Sequence, residues 1–238
     1  MAIATLKENL LWVREEIARV QAACGVSQEV TVVAVTKGHP PQAVEAAHEA
    51  GLLDVGENRV QEAVEKRSAT RTVPVRWHLI GHLQTNKAKL VPGAFAMVHS
   101  VDSWHLAEAL AGAVLKAAAR SVGSGAVEPL PVLLQVNVAG EAQKSGCSPE
   151  ATPDLAHHIA RTPGLALQGL MTMAPLTDDE RVQHRVFESL RQLRDATARP
   201  DLPLKELSMG MSGDFRAAVA EGATMLRLGT ILFGERAS

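Results

Sequence analysis

Eight short apolar runs recur along this chain of 238 residues, and segments with helical spacing separate them. The runs lie at 31–37, 52–55, 75–80, 94–101, 132–138, 166–173, 204–208 and 225–228. Strands that alternate with helices at this spacing are typical of a parallel sheet buried on both faces. Eight strands favour a closed barrel over an open sheet, because a barrel leaves no unpaired edge. The pattern therefore predicts a single (β/α)₈ barrel.

An extra helix at 5–22 precedes the first run, with its apolar side chains on one face and Glu15 spaced to pair with Arg19. Further helices are predicted at 40–51, 60–68, 103–120, 150–160 and 178–198, with a short one from 212. Residues 121–131 are rich in Gly and Ser, and we interpret them as a surface loop because the alternation resumes after them. We expect one domain over residues 1–238, with no second β domain.

Composition narrows the classes of function. The 24 basic and 26 acidic residues give a net charge of −2, which provides no general attraction to nucleic acid or anionic membrane. Aromatic residues make up 3% of the chain, too few to suggest base-stacking platforms. Two cysteines are too few for a disulfide framework, and neither a signal peptide nor a membrane span is evident. We expect a cytoplasmic protein.

Most of the runs end in a polar residue, a glycine or a methionine, which is how a barrel of this kind builds a site at the carboxyl ends of its strands. Lys37 ends the first run. At the apolar mouth of a barrel a lysine can lose its proton and react with an aldehyde, although a lysine solvated on the rim is the simpler interpretation. Asn58 follows the second run and is expected at the same mouth.

The last run contains Arg227, a permanent cation among apolar neighbours. Its burial requires an acceptor, which could be a carboxylate such as Glu57 or Asp214, or a ligand ring nitrogen or phosphate. The turns at 208–214 and 229–230 follow the seventh and eighth runs, where such barrels commonly bind phosphate. Ordinary turn and capping chemistry is the alternative for these glycines and serines.

Other polar residues are less informative. His78 and His82 lie near a strand exit, but the nine histidines show no zinc-ligand spacing. Gln135 and Asn137 alternate on one strand, so both could face the barrel interior. Residues 144–146 could close over the mouth or form a solvated loop. No metal site is predicted.

Taken together, these segments resemble the pyridoxal phosphate homeostasis protein family. The matching pieces span nearly the whole chain, at 34–37, 56–62, 77–87, 135–138, 144–146, 169–171 and 207–236. The resemblance implies the barrel of the fold-type III pyridoxal-phosphate proteins, related to the N-terminal barrel of alanine racemase. It implies pyridoxal 5′-phosphate (PLP) as cofactor, held by a covalent imine to Lys37, with Arg227 at the pyridine nitrogen and Asn58 near the ring. Phosphate-binding positions carried over from the family are Ser208, Met209, Ser212, Gly229 and Thr230.

Gly38 and His39 depart from the family, whose members vary directly after the lysine, and this puts the shape of the loop in doubt. An arginine at the ring nitrogen would leave the pyridine unprotonated and a poor electron sink.

Function is expected to be storage and delivery of PLP without dedicated catalysis. A PLP-dependent racemase of low activity is the alternative, but the two-base route needs a tyrosine and the chain has none. His78, His82 or a cysteine would have to replace it. A sugar-phosphate enzyme is a third interpretation, for which Glu57 and, less clearly, Asp214 are the candidate carboxylates. As partners we expect PLP and transient contacts with PLP-dependent apo-enzymes, but no nucleic acid or membrane. A monomer is expected, although the stripe on the leading helix could also contact another subunit.

Overall fold

The computed structural model describes residues 3–120, 128–141 and 143–235. Eight parallel strands pair in chain order and close into one barrel, β1 with β8. The strands are β1 Thr31–Val35, β2 Asp54–Glu57, β3 Arg76–Leu79, β4 Met97–Val101, β5 Leu130–Gln135, β6 Leu165–Met171, β7 Glu206–Ser208 and β8 Met225–Leu228. The predicted barrel is confirmed. Residues 121–127 of the predicted loop and Arg236 of the last family-like segment lie outside the described residues.

Helices follow the strands around the outside of the barrel. They are α1 Ile3–Cys24, α2 Gln42–Glu49, α3 Val60–Ala69, α4 Trp104–Arg120, α5 Thr152–Arg161, α6 Glu180–Thr197, α7 Phe215–Ala220 and α8 Thr230–Phe233. A 3₁₀ helix at Thr85–Leu90 connects β3 to β4, where the sequence pattern had indicated no helix. The predicted boundaries shift by two or three residues at several ends, because turns and strand ends share the same polar residue types.

Helix α1 packs against α7 and α8 on the outside of the barrel. The Asn9 amide donates to the Leu232 carbonyl at 3.1 Å. The predicted pairing of Glu15 with Arg19 is wrong. Arg19 instead pairs with Glu16 at 2.8 Å, and Glu16 also accepts from Arg216 of α7 at 2.6 Å. The tertiary partner on α7 therefore selects which of two adjacent glutamates is used. Among the described residues, no helix combines the length and apolar character needed to cross a bilayer.

Two kinds of side chain fill the barrel interior. A small apolar cluster of Leu133, Met171 and Met225 is separate from the large core between strands and helices. Beside this cluster lie buried polar side chains, among them His78 and His99. The interior thus departs from the layers of branched apolar residues usual in such barrels.

Candidate functional site

A cavity of about 730 Å³ opens at the carboxyl ends of the strands. Six of the eight predicted site residues line it: Lys37, Asn58, Ser212, Arg227, Gly229 and Thr230. The rest of the wall is Val35, Ile80, Gly81, His82, Gln135, Ser145, Met173, Leu176, Met211 and Gly213. The barrel therefore brings together a lysine, an arginine and two glycine-containing turns that lie up to 193 positions apart in sequence.

Lys37 follows β1 directly, and the backbone on either side of it is fixed by one side-chain network. The Thr36 carbonyl accepts from Lys66 Nζ at 2.6 Å, and the Gly38 N–H donates to Glu62 Oε1 at 2.8 Å. Gly38 has φ +71°, a conformation that favours glycine. The loop whose shape the sequence left in doubt is thus pinned at both peptides flanking Lys37.

The network continues behind the cavity wall. Lys66 Nζ pairs with Glu57 Oε1 at 2.7 Å and with Glu62 Oε1 at 3.0 Å, and the Thr36 hydroxyl donates to Glu57 at 2.6 Å. Glu57 is fully buried, and its second carboxylate oxygen has no hydrogen-bond partner among the described residues. Burial raises the pKa of Glu57, against the opposing effects of Lys66 and Thr36. Glu57 is therefore a support of the Lys37 loop and is not part of the cavity wall.

Arg227 is 4% exposed, and no carboxylate of the described residues lies within 4.0 Å of it. Its NH1 donates to Ser208 Oγ at 2.7 Å and its NH2 to the Thr172 carbonyl at 2.9 Å. Burial lowers the pKa of Arg227 to about 10, although the charge of Asp214 opposes this. Of the two carboxylates considered from the sequence, Glu57 pairs with Lys66, while Asp214 accepts the Met211 N–H. The guanidinium thus faces the cavity with two neutral acceptors behind it.

Ser208 and Met209, the other two predicted site residues, are buried and are not among the residues that line the cavity. The Ser208 hydroxyl lies between Arg227 and His99, with His99 Nδ1 at 2.8 Å. Met209 is fully buried in the outer core, and its N–H donates to the Met225 carbonyl at 3.1 Å. Ser208 ends β7 and Met209 follows it, and the polar groups of both residues bond to other strands of the barrel.

Asn58 owes its position to a close approach of two backbones. Gly81 lies against Asn58, and a Cβ at Gly81 would collide with the Asn58 carbonyl oxygen. The Gly81 carbonyl also accepts from the Ser100 hydroxyl at 2.7 Å. The glycine after β3 therefore allows the turn after β2 to sit beside the cavity.

The loop after β5 contributes to the cavity, although not through every residue considered. Gln135 and Ser145 line the wall, and the Gln135 amide donates to the Ser145 carbonyl at 2.8 Å. The Asn137 amide instead donates to Glu141 and Lys144 carbonyls within the loop. Lys144 Nζ donates to the Ala174 carbonyl at 2.9 Å. Residues 144–146 thus join the loops after β5 and β6 beside the mouth.

Sequence reasoning missed Thr172, Lys66 and His99. Lys66 had one local signal, its spacing of four from Glu62 on α3. His99 and the Thr172 carbonyl had none, because their partners come from distant strands. Among the residues that the structure describes, no group of three His, Cys, Asp or Glu side chains could hold a metal ion.

Comparison with known proteins agrees with this architecture. The family model for the alanine racemase N-terminal domain matches residues 9–237. The chain is 43% identical over 235 residues to the pyridoxal phosphate homeostasis protein of Pseudomonas aeruginosa, covering 98% of this chain and 97% of that one. The protein of the same name from Aquifex aeolicus is 38% identical over 223 residues, covering 92% and 94%.

Solved structures give the same result. The structure of PipY from Synechococcus elongatus PCC7942 with PLP bound is 34% identical, with a TM-score of 0.82, and the match covers 96% of this chain and 100% of that one. Alanine racemase of Clostridium difficile 630 in complex with cycloserine is 14% identical, with a TM-score of 0.76. This chain corresponds to 60% of that racemase, a likeness that concerns the fold alone.

Proposed function

Because the chain belongs to the pyridoxal phosphate homeostasis protein family, we propose that it binds pyridoxal 5′-phosphate in the cavity at the barrel mouth. Its role would be to store and deliver the cofactor inside the cell, without dedicated catalysis. One observation carries the proposal. A half-buried lysine and a buried arginine without a carboxylate partner among the described residues line the same cavity.

The cavity suits the chemical parts of PLP. Lys37 would hold the aldehyde end of the cofactor through a covalent imine. Such chemistry needs the neutral amine, and Val35 and Ile80 make the cavity wall that they share with Lys37 partly apolar. The pinned peptides of Thr36 and Gly38 limit the directions in which the lysine can extend. Asn58 lies on the same wall and would contact the ring.

Arg227 would face the pyridine nitrogen. A guanidinium has donors only, so it can offer an N–H to the ring but cannot accept a proton from it. The ring nitrogen would therefore stay unprotonated, and the cofactor would be a poor electron sink for amino-acid chemistry. This environment would restrict the cofactor to mild chemistry at most, and the absence of tyrosine from the sequence is what favours a carrier over a two-base racemase.

Ser212, Gly229 and Thr230 would receive the phosphate, since all three line the cavity beside Arg227. Ser208 would act indirectly, because its hydroxyl holds Arg227 in place. Met209 would support the site from the core, where it is fully buried. Ser212 is already oriented, because its hydroxyl accepts from the Ile231 N–H at 3.2 Å.

The alternatives are less well supported. A two-base racemase would need a second base on the wall, and the sequence contains no tyrosine. His82 lines the cavity, whereas His78 is buried beneath it. A sugar-phosphate enzyme would need an available carboxylate, but Glu57 is committed to Lys66 and Thr36. We also propose that residues 1–238 form a single domain and that the protein is a cytoplasmic monomer. It would contact PLP-dependent apo-enzymes transiently.

The test is reduction with borohydride after PLP is added, followed by peptide mass spectrometry. We expect one pyridoxyl adduct, on Lys37, and none in the Lys37→Ala variant. Lys144→Ala is the matched control, because Lys144 lies near the mouth but bonds the Ala174 carbonyl. An adduct on Lys87 or Lys144 would refute the assignment of Lys37, and no adduct on any lysine would refute the proposed function.

A further inference from the structure

An unbroken row of hydrogen bonds crosses the barrel interior beneath the cavity. We name Asp54, His78, His99, Ser208 and Arg227 the interior row. Asp54 Oδ1 lies 2.8 Å from His78 Nε2, and His78 Nδ1 lies 2.9 Å from His99 Nε2. His99 Nδ1 is 2.8 Å from Ser208 Oγ, which accepts from Arg227 NH1 at 2.7 Å. Five strands, β2, β3, β4, β7 and β8, thus contribute one residue each.

Burial of this row demands an explanation. No residue in it is more than 5% exposed, and buried polar groups are costly unless each is satisfied. Branched apolar side chains usually fill the interior of such a barrel. At the far end, Asp54 pairs with Arg76, whose side chain is 59% exposed. The row therefore joins the solvent-facing bottom of the barrel to the arginine in the cavity wall.

The two ends of the row fix the direction of its protons. Arg227 can only donate, so Ser208 Oγ accepts from it and has one hydroxyl hydrogen left to give. Burial raises the pKa of Asp54 in itself, but bonds from His78 and Arg76 outweigh this and lower the pKa to about 2. Asp54 is therefore a carboxylate that only accepts.

With both histidines neutral, each carries one ring proton, and the two ends of the row then leave His99 a single tautomer. Burial, together with the charge of Arg227, lowers the pKa of His99 well below its usual value. Its Nδ1 accepts the Ser208 hydroxyl, so its single proton sits on Nε2 and is donated to His78 Nδ1. His78 in turn donates from Nε2 to Asp54. Every hydrogen bond in the row points from Arg227 toward Asp54.

We propose that His99 is a positioning residue for PLP binding: in its Nε2–H tautomer it orients the Ser208 hydroxyl, which holds the Arg227 guanidinium against the cavity. The inference rests on the proposed function in one respect, the role of Arg227 toward the cofactor ring. A proton on His99 Nδ1 would deprive the Ser208 hydrogen of its acceptor. It would also place a second donor on the oxygen that Arg227 uses. His78 and Asp54 enforce the tautomer from the other side.

The first experiment needs no cofactor. In ¹⁵N-histidine NMR spectra of the wild-type protein without PLP, His99 should show an unprotonated Nδ1 and a protonated Nε2. The His99→Asn variant assigns the signal by its loss. A proton on Nδ1 would overturn the inference whatever the outcome for PLP.

The second experiment measures PLP affinity and the absorption spectrum of the bound cofactor. His99→Leu should release the Ser208 hydroxyl and so weaken its bond to the charged Arg227. PLP binding should then weaken about tenfold to a hundredfold, the loss typical of a bond to a charged group, and the absorption maximum should shift. His99→Asn keeps a polar group near the Nδ1 position and should restore most of the affinity. Ser208→Ala should behave like His99→Leu, and the double variant should lose no more than either single one, because both break the same link. His105→Leu, at an exposed histidine, is the control.

A purely structural role for His99 would lower the melting temperature and leave the affinity and spectrum of the folded protein unchanged. That result would overturn the inference, and Ser208→Ala decides the question if His99→Leu does not fold. Failure of the proposed function looks different, since wild-type protein would then give no pyridoxyl adduct on Lys37.

Discussion

Removal of the Lys66 ammonium tests the support of the Lys37 loop most directly. Lys66 is 7% exposed in its side chain and Glu57 is 0%, so the pair lies in the interior. The variant Lys66→Met keeps the length of the side chain and leaves Glu57 as a buried charge without its cation. Loss of one partner of a buried ion pair typically costs about 3–5 kcal/mol of unfolding free energy. We expect a loss of that size at pH 7, measured by urea denaturation.

The pH dependence of that loss identifies its cause. Burial already raises the pKa of Glu57, and without Lys66 the pKa rises further. Between the unfolded value of about 4.3 and this raised value, the folded state binds more protons than the unfolded state. Stability therefore falls as pH rises through that window, and the variant should regain part of its loss when the pH is lowered from 7 to about 5.

Two further variants complete the test. Lys116→Met removes an exposed helical lysine and should change stability by less than about 0.5 kcal/mol. The double variant Glu57→Gln/Lys66→Met removes the uncompensated charge and should recover at least half of the loss. The reasoning is refuted if Lys66→Met costs less than about 1 kcal/mol at pH 7, or if the two losses simply add.

Three further predictions follow from the site and its supports. Arg227→Lys keeps the charge but replaces the two guanidinium nitrogens that bond Ser208 and the Thr172 carbonyl with a single ammonium. PLP affinity, measured by equilibrium dialysis, should therefore fall about tenfold, and unchanged affinity would remove Arg227 from the site. Gly38→Val forces a β-branched residue to φ +71°, which should lower the free energy of unfolding, measured by urea denaturation, by about 1–3 kcal/mol. The variant should also form the imine with Lys37 more slowly. A rate equal to that of the wild type would contradict the importance of the loop. The pKa of Asp54 is lowered from 3.8 to about 2, so its ionisation contributes roughly 2 kcal/mol to the free energy of unfolding. This contribution is present above the unfolded pKa and is lost as pH falls toward 2. Asp54→Asn should therefore flatten the curve of stability against pH in that range, and an unchanged curve would show that Asp54 is not its source.

Much of the architecture was decided by the sequence itself. The alternation of apolar runs with helical segments predicts eight parallel strands, because each strand must be buried on both faces. Strand ends of a closed barrel converge on one rim, so Lys37, Asn58 and Arg227 could be assigned to a common mouth before any contact was known. The turn at 229–230 after β8 was also recognisable in the sequence as a candidate phosphate site. These features depend on periodicity and on position within one repeat.

Tertiary structure alone decided which partner each buried polar group uses. Arg227 bonds Ser208 and the Thr172 carbonyl, whereas the sequence left open a carboxylate such as Glu57 or Asp214 and a ligand group as its partner. Glu57 forms an ion pair with Lys66 of α3, whose ammonium lies behind the Lys37 loop.

The interior row shows the physical reason most clearly. His99 and Ser208 are 109 positions apart and meet only because β4 and β7 face each other across a closed barrel. A one-residue shift of either strand would turn its side chain to the outer face, and periodicity fixes strand boundaries only to within a few residues. The sequence by itself determined that polar groups gather at one end of the barrel, and closure of the barrel determined how they share their protons.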